Sequence, residues 1–194
     1  MAVVLTKFPV VNLFPGWRLP GGRDPVEIRF YDDFGDVRGE GTHHAQDIKG
    51  PLDMGIVSTT NGAVVQSWKI GARRLRGMCF GDRSGWLVVI VDAQGYFHHY
   101  AHMQPVPVVQ PGQRVVAGQL IGRLGQSGNA RNSVPHLHYQ VRSPIGNASE
   151  YQTLDFSSQG GAAVPVHAIL KGLALAAGWQ QLSAVRYQWK SAPF

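Results

Sequence analysis

The chain of 194 residues holds a single cysteine, Cys79, so no internal disulfide can brace its fold. No Cys-based metal knuckle or catalytic cysteine motif surrounds Cys79, which reads as a buried, inert thiol. Charged residues are scarce at 15% while hydrophobic residues reach 44%, a balance that excludes a disordered chain. No apolar run approaches the roughly 18 residues that a membrane span needs. The first twenty residues lack a basic start followed by an apolar run and a small-residue cleavage site. Lys7, Pro9, Asn12 and Pro15 interrupt them, so no standard signal peptide is expected. That reading leaves a processed form, export by another route, or release by lysis. Helical periodicity of useful length is missing between Gly41 and Arg142, which excludes a helical bundle there.

What is abundant points the other way. Twenty-four glycines and twelve prolines mark many turns and favour strands joined by loops. A chain of this length buries about 70% of its unfolded surface, enough for a core without staples. Lys and Arg outnumber Asp and Glu by 18 to 12, and the pI is about 9.8. A basic balance favours polyanionic partners or serves solubility. The basic residues are scattered apart from Arg73, Arg74 and Arg76, and no nucleic-acid motif accompanies that cluster.

Three regions emerge. Residues 1–40 carry the turn signals Pro15-Gly16, Pro20-Gly-Gly22 and Asp24-Pro25 and read as an irregular N-terminal segment. Residues 41–156 read as strands: Gly62 to Gln66, Trp86 to Asp92, Tyr96 to His102, two glycine-marked stretches from Gly112 to Gly125, and Leu137 to Arg142. Trp86 to His102 looks like a hairpin turning at Ala93-Gln94-Gly95. Residues 157–194 read as a linker, Ser157 to Gly161, and a helical appendage over Val166 to Leu182. Ile169, Leu170, Leu173, Ala176 and Ala177 share one helix face, although Gly172 and Gly178 weaken it.

Eight histidines, at 43, 44, 98, 99, 102, 136, 138 and 167, are the strongest chemical signal. His136 and His138 stand at i and i+2 of a strand and so present two imidazoles on one face, with Leu137 and Tyr139 on the other. His43 and Asp47 stand four apart among glycines and Pro51, at a strand end or in a loop. Histidine nitrogen and aspartate oxygen are zinc donors, and catalytic zinc takes three protein ligands. Two histidines and one aspartate would leave the ion a net positive charge and strongly Lewis acidic. Further imidazoles would be free to move protons near neutrality.

The motifs His43-x-x-x-Asp47, Tyr100-Ala-His102-Met103 and Pro135-His-Leu-His-Tyr139 occur in that order. Val109 to Gly122 lies between the last two as a glycine-marked hairpin, followed by the turn Gly125-Gln-Ser-Gly128. In these the sequence resembles the lysostaphin-type zinc metallopeptidases, cell-wall endopeptidases of the LytM kind, over about Gly41 to Val141. The resemblance implies a mainly β fold of the duplicated-hybrid-motif type: an antiparallel sheet with a zinc-bearing groove, here with a C-terminal helix. It implies His43, Asp47 and His138 as zinc ligands, His136 as general base, and His102 hydrogen bonding to the water or the developing oxyanion. Because His98 and Tyr100 alternate with His102 along one strand, they are expected to line the cleft and meet substrate. His44, His99 and His167 are expected to be bystanders.

The implied activity is hydrolysis of peptide bonds in bacterial peptidoglycan stems or cross-bridges by metal-activated water, outside the cytoplasm. The implied partners are peptidoglycan and, through the basic charge, anionic wall polymers, with no nucleic acid and a monomer favoured. Two departures stand out: Ala45 where the family usually has glycine, and Val134 where small residues are common. The loop from Ser67 to Ser84 is family-variable, so it leaves bond preference open. A catalytically inactive relative that regulates other wall hydrolases is the alternative, opposed by the complete set of ligands. A biotinyl- or lipoyl-type carrier is opposed by the lack of any lysine between Lys69 and Lys171.

Overall fold

The computed structural model describes residues 2–13, 27–39, 41–67, 83–144, 160–183 and 188–191. Cys79 and most of the 67–84 loop lie outside them. The strands in chain order begin with β1 (Val10–Val11), β2 (Glu27–Arg29), β3 (Val37–Arg38), β4 (Gly41–Thr42) and β5 (Gln46–Lys49). Next come β6 (Gly55–Val57), β7 (Gly62–Ser67), β8 (Trp86–Asp92) and β9 (Phe97–Met103). Then follow β10 (Arg114–Val115), β11 (Leu120–Arg123), β12 (His136–Arg142) and β13 (Ala163–Val164). Helix α1 (His167–Ala176), β14 (Trp179–Ser183) and β15 (Gln188–Ser191) end the described chain.

The main sheet runs β10-β7-β8-β9-β12-β5-β2-β15-β14, with β13 added beside β12. Every pairing in it is antiparallel. A smaller sheet, β1-β6-β11, and the β3-β4 hairpin complete the strands.

The centre of the main sheet follows from composition. β8 reads Trp-Leu-Val-Val-Ile-Val-Asp, and its β-branched residues suit a pleated, buried surface. Its turn closes because Asp92 Oδ1 accepts the backbone N–H groups of Gln94 and Tyr96, both at 2.9 Å, while Gly95 takes a φ of +84°. Along β12 burial alternates strictly, with Leu137, Tyr139 and Val141 inward and the even-numbered residues less buried. The inward row packs with Ile48, Val88, Ile90 and Tyr100 in one core. Each such large apolar side chain contributes about 1.5–3 kcal/mol when fully buried. The other face of the hairpin carries a smaller cluster: Leu87, Val89, Phe97 and Ala101.

Both ends of the described chain join this architecture rather than lying outside it. β2, from the expected irregular segment, pairs with β5 and β15. The expected helix over Val166 to Leu182 stops at Ala176, because Gly178 takes a φ of +83° and turns the chain into β14. Trp179 and Trp189 of the β14-β15 pair are buried, and Trp189 stacks on Phe30 at 4.9 Å. The strands after Arg142 were not expected from the sequence. Among the described residues no helix is long and apolar enough to cross a membrane.

A bulge in β9 decides what faces the groove. Met103 pairs with Trp86 and Tyr100 with Val88, so three steps along β9 oppose two along β8. The extra residue falls at Ala101-His102, where His102 takes a φ of +61°. Tyr100 and Met103 both face the large core although they are three residues apart. The strand's alternation is reset between them, and His102 turns to the face opposite Tyr100.

Gly125 packs against this bulge: a Cβ there would lie 2.5 Å from Gln104 N and 2.7 Å from the His102 carbonyl oxygen. Those atoms are backbone and cannot swing aside. Gly125→Ala is therefore expected to lower the melting temperature, whereas Gly39→Ala, in open space, should not. Thermal denaturation of both variants checks this.

Candidate metal centre

β5 and β12 build the centre between them. Register places Asp47 opposite His138, and cross-strand partners share a face. His43, between β4 and β5, brings its ring to the same point. His43 Nε2 lies 3.2 Å from Asp47 Oδ1 and 3.2 Å from His138 Nδ1, and His138 Nδ1 lies 3.0 Å from Asp47 Oδ1. These three residues form the one His/Cys/Asp/Glu group among the described residues whose donor atoms could hold a metal ion.

The donor set fits zinc. Ligand bonds of about 2.0–2.1 Å in a tetrahedron separate the ligand atoms by about 3.3 Å, close to the observed edges. The protons argue the same way. His43 Nδ1 sits 2.9 Å from the Asp33 backbone oxygen, which can only accept, so in the neutral ring Nε2 bears a lone pair. That lone pair faces the Asp47 carboxylate, a repulsion that only positive charge relieves. Burial pushes Asp47 up, but the hydrogen bonds and charge of His138 and His43 overcome it and hold the carboxyl far below the usual carboxylate range. Burial lowers His43, yet Asp47 and Asp33 raise it above its ordinary value. Both shifts run in the direction expected of a site that favours positive charge.

A supporting shell fixes the candidate ligands, and the sequence reading missed it. Arg38 Nη1 donates to Asp47 Oδ2 at 2.9 Å and Nη2 to Asp33 Oδ2 at 2.8 Å. Asp33 Oδ1 accepts from Gln46 Nε2 at 2.9 Å and from the Asp47 backbone N–H at 3.2 Å. Arg38 thereby occupies one oxygen of Asp47 and leaves the other toward the histidines. His167, at the start of α1, donates from Nδ1 to Gln46 Oε1 at 2.8 Å, so it is tied to this shell rather than a bystander. The available signal was the run of acidic and basic residues from Asp32 to Arg38 just ahead of His43. Asp33→Ala is expected to weaken metal affinity by about 10–100-fold, the usual cost of removing such a partner. Competition with a chelator would measure it.

His102 and His136 flank the three candidate ligands. Their ring centroids are 4.8 Å apart, and His102 lies 5.5 Å from His138. His136 Nδ1 donates to the Val134 carbonyl oxygen at 2.8 Å and His102 Nδ1 to that of Ser127 at 3.0 Å. Each ring therefore carries its lone pair on Nε2. Burial, joined by the charges of His138 and His136, lowers His102 to about 3. Burial also lowers His136 below 6.5. Ser127 anchors the arrangement: its hydroxyl donates to the Met103 carbonyl at 2.7 Å and accepts the Trp86 N–H at 2.9 Å.

His98 and Tyr100 do not line the groove. Both are fully buried on the core face, because the bulge separates their face from that of His102. His98 bridges Asp92 Oδ2 at 3.1 Å and the Tyr139 hydroxyl at 2.9 Å, and Thr59 Oγ1 links the Tyr139 and Tyr100 hydroxyls at 2.8 Å each. This is a satisfied polar network inside the core. His44 is exposed and His99 buried. Ala45 has no positive φ, so its methyl group brings no backbone strain. Val134 is 59% exposed.

Comparison with known proteins gives concordant results. The model of peptidase family M23 matches residues 41–151, more than half of the chain. The chain is 32% identical over 129 residues to the L-Ala–D-Glu endopeptidase of Bacillus subtilis (strain 168), covering 59% of this chain and 36% of that protein. It is 26% identical over 125 residues to the peptidoglycan DD-endopeptidase ShyA of Vibrio cholerae, covering 64% of this chain and 25% of that protein. The chain thus spans only about a third or a quarter of these relatives. The catalytic domain of lysostaphin from Staphylococcus simulans shares its fold, with a TM-score of 0.52 at 20% identity, over 75% of this chain and 91% of that one.

Proposed function

This chain belongs to peptidase family M23, and from that membership we propose that it is a zinc-dependent endopeptidase of bacterial peptidoglycan, acting outside the cytoplasm. Two relatives named for peptidoglycan or L-Ala–D-Glu endopeptidase activity support the substrate class. The observation that carries the reading is the convergence of His43, Asp47 and His138 donor atoms within 3.0–3.2 Å of one another. An inactive, wall-binding relative would be expected to lack part of that set.

Zinc held by those three residues would supply Lewis acidity toward a peptide carbonyl and toward water. The remaining chemistry belongs to the chain. His136, with Nδ1–H fixed on Val134 and Nε2 unprotonated, is placed to accept a proton from attacking water and return it to the leaving amine. His102 presents a lone pair in the same way, so it is suited to accept a hydrogen bond from that water. Donation to an oxyanion would need the imidazolium form, which its lowered value near 3 disfavours. The supporting shell holds Asp47 and His43 in orientation while the carbonyl contacts hold the two acceptors.

The test is digestion of purified peptidoglycan by zinc-loaded protein, with products identified by mass spectrometry. New amino and carboxyl termini within stem or cross-bridge peptides are expected; an undigested wall would end the reading. The pH profile adds a second check. Because the His136 value lies below 6.5, the base stays unprotonated as pH falls to that point, and kcat/KM should drop only below it. A half-fall above pH 6.5 would contradict the assignment.

A further inference from the structure

The sheet register sets two cations on the groove face beside the metal centre. Lys49 pairs with His136 across β5-β12, just as Asp47 pairs with His138. Arg29 pairs with Lys49 across β2-β5. Cross-strand partners project from the same face, so Arg29, Lys49 and His136 form one row next to the row of Asp47 and His138. Two residues along a strand span about 7 Å, roughly the distance from a cleaved bond to the side chain of the next residue of an extended peptide.

Among the described residues neither cation has an ion-pair partner. The carboxylates nearest the metal centre are engaged elsewhere: Asp33 and Asp47 hold Arg38, His43 and His138. Among the described residues no carboxylate lies within ion-pair distance of Lys49 or Arg29. The Lys49 ammonium rests 5.9 Å from the centroid of the Tyr31 ring, a cation–π contact. Arg29 is exposed and Lys49 half-buried, so both are open to a ligand.

We propose that Lys49, seconded by Arg29, forms a subsite for a free carboxylate on the substrate peptide, one residue from the bond that is cut. This rests on the endopeptidase reading and deepens it: the substrate is an acidic peptide, and amidation of that carboxylate weakens binding. The ammonium acts on binding and orientation, not on the reacting atoms, so it changes KM more than kcat.

Two synthetic wall peptides that differ only in that carboxylate, free or converted to carboxamide, provide the test. Steady-state kinetics give KM and kcat, and calorimetry on zinc-loaded His136→Ala protein gives binding without turnover. The wild-type KM, and the dissociation constant of zinc-loaded His136→Ala protein, are expected to be about fivefold lower for the free carboxylate, the upper scale for a partly solvated ion pair, with kcat little changed. Lys49→Gln should erase the difference, Lys49→Arg should keep it, and Lys49→Glu should reverse it. Equal binding of both peptides by the wild type would overturn the subsite. So would an undiminished preference in Lys49→Gln protein whose melting temperature matches the wild type. If the wild type cuts neither peptide, the endopeptidase reading fails, and the calorimetric comparison still decides whether the subsite exists.

Discussion

Protein carrying Asp47→Ala or His138→Ala is expected to purify without stoichiometric zinc and to leave peptidoglycan uncut. Three donors converge at the centre, and two seldom hold zinc tightly. Losing a partner behind a ligand already costs about 10–100-fold in affinity, so losing a ligand should cost more. Stability gives a readout apart from hydrolysis. An ion that binds only the folded state stabilises it by about 4 kcal/mol when present at a thousand times its dissociation constant. Added zinc should therefore raise the melting temperature of the wild type and leave the two variants almost unmoved. Asp47→Ala carries a further cost, because Arg38 and both histidines lose a shared partner. A variant that keeps one zinc per chain would show that the donor set was assigned wrongly.

His136→Ala separates metal holding from proton handling. Its ring stands beside the ligands on the groove face but contributes no atom to the donor triangle. Zinc should remain at full stoichiometry, while turnover falls by about a hundredfold or more, the scale for a positioned base. His102→Ala should also retain zinc. Its loss should be smaller than that of His136→Ala, since its proposed role is to orient water through an accepted hydrogen bond and not to carry a proton away. Zinc content and wall-lysis rate measured on the same preparations check both statements. If His136→Ala loses its zinc, the two histidines of β12 have exchanged roles. If both variants lyse walls at the wild-type rate, this cluster is not the active site.

The parts of this centre that sequence made legible are those set by local spacing. An i, i+2 pair in an alternating strand must share a face, and His136 and His138 do. The β8-β9 hairpin was legible because its β-branched run ends in a turn with a fitting Asp and Gly. The facing of His98 and Tyr100 was misread because the bulge is a property of backbone pairing. No glycine marks it; His102 itself takes the left-handed conformation. Asp33 and Arg38 stayed hidden because they act through contacts formed only when the β3-β4 hairpin folds over β5. The final strands escaped notice because Trp179 and Trp189 bury themselves against residues from the other end of the chain, including Phe8 and Phe30.

That last arrangement bears on how the molecule comes to be folded. In the sheet Arg29 pairs with Gln188, and Asp47 with His138, so its neighbours are remote along the chain. Long loops must close before such pairings return any energy, which slows folding relative to chains of local contacts. During synthesis β2 would emerge early and wait for β15, offering an unpaired edge with Ile28 and Phe30 alongside. Such an edge invites pairing with other nascent chains. The β14-β15 segment thus serves as the late cover of an aggregation-prone edge, and chains stopped short of it are expected to accumulate as insoluble material rather than as a smaller peptidase.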